Sequence, residues 1–174
     1  MSLPKCVTIA GVDYLLDHLA NSVRVMRIPA NSRMPERAVS LAISYGLHCF
    51  TRAAELGERE NVSDGRERRV FAVDRYDLSH QLPGILDSLE SRKCFHTAYS
   101  NFFTVEYVNQ SGVKQDYVVY FRTWRSGTKD AGDVRVHVES AYLRSDAPKW
   151  KKPIRFKVIV ANTFTKKPIV EPGN

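Results

Sequence analysis

No apolar run in this sequence approaches the roughly 20 residues that a membrane-crossing helix needs. The opening stretch MSLPKCVTIAGVDYLLDHL has no basic region followed by an unbroken apolar segment. These two absences point to a protein that works in the cytoplasm, with no membrane partner. Cysteine is scarce: the three present, Cys6, Cys49 and Cys94, are an odd number for a disulfide framework and read as buried small hydrophobes or free thiols. Also missing are a glycine-rich phosphate loop, a nucleophile elbow and the zinc-protease helix motif, which disfavours nucleotide-fuelled chemistry. No cofactor is called for. His48, Cys49, Cys94 and His96 are the right residue types for tetrahedral zinc, but a contiguous His-Cys and a Cys-x-His match no finger or ribbon spacing, so no metal is expected.

What is present suits one domain. The 174 residues are 43% hydrophobic, enough for a sizeable core, and 26 Lys plus Arg against 19 Asp plus Glu leave a formal charge of +7. Such a balance favours encounter with polyanions, although a solubilising surface explains the same charge. Positive residues gather in KWKKPIRFK (149–157), where Trp150 is interleaved.

The fold class expected is α+β. VDYLLDHLA (12–20) carries an apolar stripe at helical spacing, VRVMRI (23–28) and residues 38–45 alternate like strands, with a helix the second reading of 38–45, and together they form a small N-terminal α/β extension over 1–54. ELGERENVSDGRERR (55–69) reads as an exposed charged loop. An amphipathic helix follows over 79–92, with Ser79 as its N-cap, Pro83 in the first turn and Leu82, Ile85, Leu86 and Leu89 on one side. Strands at 102–108, 116–125, 133–144 and 154–164, separated by turn signals, predict an antiparallel four-stranded meander packed on that helix, a core spanning 75–164.

Two places could carry chemistry. In VRVHVESAYLR (134–144) the valines share one face, which Ser140 and Tyr142 continue by period two, while Arg135, His137 and Glu139 share the other. If this strand pairs with the last one, Arg155 and Lys157 lie beside them, and the face could hold a phosphate backbone and supply proton transfer. The second place is RKCFHTAYSNFF (92–103), where His96 and Thr97 sit at the junction of helix and sheet. Solvated strand residues and turn formers account for both without function.

HCFTR, CFHT, NFFT and SAYLR, within a region running from about residue 75 to 164 plus the upstream HCFTR, resemble a group of bacterial and phage-associated proteins that itself implies no activity. A helix followed by a meander resembles the architecture of barnase, colicin RNase domains, EndoU nucleases and RelE-type toxins. That resemblance implies metal-independent RNA cleavage. It makes His96 the general acid or base, Arg122, Arg125 and Arg144 phosphate or transition-state stabilisers, and Thr97, Ser140 and Tyr142 positioning groups. Arg122, Arg125, Arg135, His137, Arg155 and Lys157 become the RNA-contacting set. A toxin of this kind has a cognate inhibitor protein as a partner. The rival readings are a non-enzymatic nucleic-acid-binding or adaptor module and an enzyme for a small phosphorylated ligand. The ribonuclease reading depends on whether His96, Tyr142 and Arg144 meet in one cleft; dispersal leaves a binding fold.

Overall fold

The computed structural model describes residues 3–30, 35–97, 101–110, 113–127, 132–144 and 152–170. In chain order the elements are β1 (Cys6–Ile9), β2 (Val12–Leu15), β3 (Ser22–Ile28), β4 (Arg37–His48), β5 (Thr51–Arg52), β6 (Val62–Ser63), β7 (Arg68–Phe71), α1 (Val73–Ser79), α2 (Leu82–Asp87), β8 (Lys93–His96), β9 (Phe102–Gln110), β10 (Val113–Arg125), β11 (Val134–Arg144), β12 (Ile154–Arg155) and α3 (Phe156–Phe164). The main sheet has seven strands in the order β12-β8-β9-β10-β11-β4-β3. It is mixed: β4 and β11 run parallel, and its other neighbours run antiparallel. The molecule is thus α+β, a curled mixed sheet with helices packed against it.

Three of the four expected meander strands are present, as β9, β10 and β11. The fourth is not. Residues 156–164 are helix α3, whose buried residues Phe156, Ile159, Val160 and Thr163 follow helical spacing. The run of β-branched residues in FKVIVANTF imitates a strand, but burying that one stripe requires the 3.6-residue period. Arg155 consequently pairs with Lys93 at the far edge of the sheet, and Lys157 Nζ meets Glu90 at 2.9 Å. Neither lies beside Arg135 and His137, since β11 is flanked by β10 and β4. Trp150, with Lys149 and Lys151, lies outside the described residues.

The N-terminal strands are not an appendage. β3 and β4 complete the main sheet, and one buried cluster runs from Leu16 through Ile43 and Val136 to Val160. The helix expected over 12–20 is replaced by β2 and a single 3₁₀ turn, Asp17–Leu19. Ala10 and Gly11, both at positive φ, make the tight turn that joins β1 to β2. The segment 79–92 holds shorter pieces than one helix: Ser79 ends α1, Pro83 opens α2, and Ser79 Oγ donates to the Tyr76 carbonyl instead of capping. Leu82, Ile85, Leu86 and Leu89 are all buried, as their spacing predicts. Part of the charged stretch 55–69 is strand, in β6 and the start of β7. No helix among the described residues is long and apolar enough to cross a membrane.

Candidate functional site on the open face of the sheet

Strand alternation divides β11 between two environments. Val134, Val136 and Val138 enter the core, and Arg135, His137 and Glu139 take the opposite face. Beyond Val138 the register shifts. Phe121 opposes Val138 and Tyr120 opposes Ser140, which leaves Glu139 without a partner on β10. This extra residue is a β-bulge, and it reverses the alternation that follows. Ala141 and Leu143 now join the core, while Tyr142 stacks on Tyr120, with ring centroids 5.6 Å apart, on the face away from it. Ser140 and Tyr142 therefore leave the valine face, contrary to a strict period of two.

The open face gathers polar groups in a row. Arg122 opposes His137, and His137 opposes Ser44 on β4. Ser44 Oγ lies 2.9 Å from His137 Nδ1. Arg122 Nη2 binds Glu139 Oε1 at 2.7 Å, and Asn101 Nδ2 donates to the other oxygen of that carboxylate. The Trp124 ring, 39% exposed, stands edge-on to the imidazole at 6.3 Å. Asp64 and Arg66, from the loop before β7, and Arg135 complete a cleft of about 460 Å³. Asp64 is itself engaged, accepting the backbone N–H groups of Arg66 and Glu67.

Gly46 makes room for the imidazole. A methyl group there would lie 3.3 Å from His137 Nε2 and 3.1 Å from the Glu139 carbonyl oxygen, tighter than an ordinary contact. Burial holds the His137 imidazole below its usual pKa; Glu139 opposes this shift and Arg122 adds to it. The shift favours the neutral ring; in the tautomer whose Nδ1–H donates to Ser44 Oγ, Nε2 carries the lone pair that a general base requires.

The other expected residues are dispersed. Arg144 donates to the Tyr120 hydroxyl at 3.0 Å, and the Arg75 guanidinium lies 5.0 Å from the centre of the Tyr142 ring. Ser140 opposes Tyr120 and His48. These groups share the open face with His137. His96 and Thr97 do not belong to it. His96 opposes Phe102, whose partner Phe121 is core, and both residues line a different cleft beneath α3, together with Thr123 and Asn162. His96 therefore does not meet Tyr142 and Arg144 in one pocket. Thr97 is bonded twice to Asn101: its N–H donates to the Asn101 carbonyl, and its Oγ1 accepts from the Asn101 N–H. Arg125 is also on the helix side, its guanidinium 5.4 Å from the Phe164 ring centre.

Ser44, Gly46, Asp64, Arg66, Asn101 and Trp124 are members that the sequence patterns did not single out. The small residues Ser40, Ala42, Ser44 and Gly46 alternating along β4 were the available signal, because small side chains leave space above a sheet. No group of three His, Cys, Asp or Glu side chains close enough to hold a metal occurs among the described residues. His48 bonds Glu67 at 2.8 Å, whereas Cys49 and Cys94 are buried, which pushes both thiols up to about 12.

Over residues 6–164 the sequence matches the YjaZ family, and the chain belongs to that family. No curated protein and no solved structure matches it.

Proposed function

We propose that this YjaZ-family protein acts on single-stranded RNA along the open face of its sheet, as a metal-independent endonuclease with His137 as its acid–base group. The observation that carries the reading is the imidazole itself. It is half-buried, its pKa held down by burial, and bonded to Ser44, with Arg122, Arg135 and Arg66 around it and an exposed tryptophan at its side. Arginines can meet phosphates in two-pronged hydrogen bonds, and an exposed aromatic ring accepts any base by stacking. From the nuclease resemblance the proposal keeps the three antiparallel strands β9, β10 and β11. It moves the chemistry from His96 to His137.

The reaction uses the RNA's own 2′-hydroxyl. His137 Nε2 takes its proton and the 2′-oxygen attacks the adjacent phosphorus. The bond from phosphorus to the 5′-oxygen breaks, water protonates that oxygen, and the imidazolium returns its proton to solvent. The products are a 2′,3′-cyclic phosphate and a 5′-hydroxyl end. Arg122 and Arg135 offset charge on the phosphorane. Glu139, engaged by both Arg122 and Asn101, is a positioning residue that orients the guanidinium.

That engagement also favours a second reading, an RNA-binding module without turnover, because Glu139 is not available as a second acid. Incubating the protein with end-labelled single-stranded RNA separates the two. Cleavage to cyclic-phosphate ends that disappears in His137→Ala supports the endonuclease. Salt-sensitive binding without cleavage leaves the module. Neither binding nor cleavage across salt and pH removes both, and cleavage indifferent to His137→Ala removes the assigned role.

A further inference from the structure

The function proposed above leaves unused the larger cleft, about 770 Å³, on the helix side of the sheet. Arg125, Lys166 and Lys167 line it, and among the described residues no carboxylate does. Phe102 and Ile169 give part of its wall an apolar character, and the Thr123 and Thr163 hydroxyls meet there at 2.9 Å. Uncompensated cations beside apolar surface suit a ligand that alternates anionic groups with flat rings.

Trp124 lines this cleft and the one at His137. The two meet along Arg122–Arg125 of β10. That stretch pairs with β11 on one side, but on the other β9 begins only at Phe102, opposite Phe121, so among the described residues no strand partner follows. A flexible polymer can pass around such an edge from one face of a sheet to the other. A duplex cannot, because smooth bending over so short a distance is costly at a persistence length of roughly 150 base pairs.

Resting on the RNA reading, we infer that the preferred substrate is a single strand long enough to turn around the β10 edge at Trp124. One part of it lies at His137, and the phosphates beyond the turn are held by Arg125, Lys166 and Lys167 beneath α3. A short oligonucleotide occupies only the His137 side. Both lysines are exposed, so replacing them leaves the core untouched.

The test is fluorescence anisotropy on the full chain and on Lys166→Gln/Lys167→Gln, with labelled single-stranded RNAs of about 4 and about 12 nucleotides, lengths that bracket common site sizes. The double variant is expected to weaken binding of the longer RNA by about tenfold, at least about fivefold more than the shorter, and to lower the salt slope by about 1 to 2. Equal weakening at both lengths, or none, overturns the path around the edge while leaving the His137 site standing. Failure of the unaltered protein to bind either RNA overturns both.

Discussion

The two faces of the main sheet are cut from the same strands and are chemically unlike. On the helix side, Ile43, Phe121, Val134, Val136 and Val138 are buried together with α2 and α3 residues such as Leu82 and Ile159. On the open side, one residue away along each strand, stand Ser44, Arg122, Trp124, His137 and Glu139. One face carries the main core and the other this polar row, beside a smaller apolar cluster of Phe95, Phe103 and Val118, so substitutions a single position apart should have different consequences. The bulge at Glu139 is where β11 passes from one alternation to the other, which carries Ser140 and Tyr142 to the side of the imidazole row.

The largest effect that could break this contrast is on the core side. Phe121 is fully buried, with the Phe102 and Phe156 rings within 6 Å. Truncating it to alanine should cost about 3–5 kcal/mol, read as a lower denaturant midpoint. A midpoint shift no greater than that of an open-face variant would void the division of labour.

Its counterpart one strand across is His137→Ala. RNA cleavage should fall about 10²- to 10⁴-fold in kcat/KM, against a stability loss of about 1 kcal/mol for one hydrogen bond. With the neutral imidazole acting as the proposed base, the rate of the unaltered protein should fall as pH drops through a pKa below the usual 6.5 and level off above it. A rate that instead rises as the solution is acidified would contradict this role.

Trp124→Ala comes next. Loss of a stacking platform should weaken single-stranded RNA binding by about 1–3 kcal/mol in a titration. Gly46→Ala sharpens the comparison from inside the open face, since its methyl group presses on the Glu139 carbonyl and on His137 Nε2. Overpacking should cost about 1 kcal/mol of stability and reduce cleavage by displacing the ring.

A last effect belongs to neither face. His18, hydrogen-bonded to Ser79 at 2.7 Å and stacked on His80, has its pKa lowered to about 4, chiefly by burial. The unfolded chain takes up this proton near pH 6.5 and the folded one only near 4. The contribution is therefore intact above pH 6.5 and is lost as pH falls toward 4. Midpoints measured across that window should decline less steeply in His18→Gln, whose amide can keep a bond to Ser79.

Much of the sheet was legible because period-two alternation is a local property. β3, β4, β9, β10 and β11 all fall where the apolar residues alternate, and Arg135, His137 and Glu139 could be placed on a polar face from it. Helix α3 was not legible, since Val158, Ile159 and Val160 favour a strand in isolation and only the shape of the core selects the helical stripe. The candidate site was less legible: the sequence favoured His96 as the acid–base group and gave His137 only an RNA-contacting role, whereas the register of β8 and β9 sends His96 to the helix side.

By itself, the sequence determined the basic charge, the sparing use of cysteine, the alternating strands and the apolar stripe that α2 buries, because each follows from composition or near-neighbour spacing. Only the tertiary structure decided that β4 runs parallel to β11 and sets Ser44 against His137, residues 93 positions apart. It alone decided that a single unpaired residue turns Tyr142 and Arg144 outward. Pairings across so long a loop, and the register they impose, are selected by burying one continuous core. No local stretch of chain encodes them.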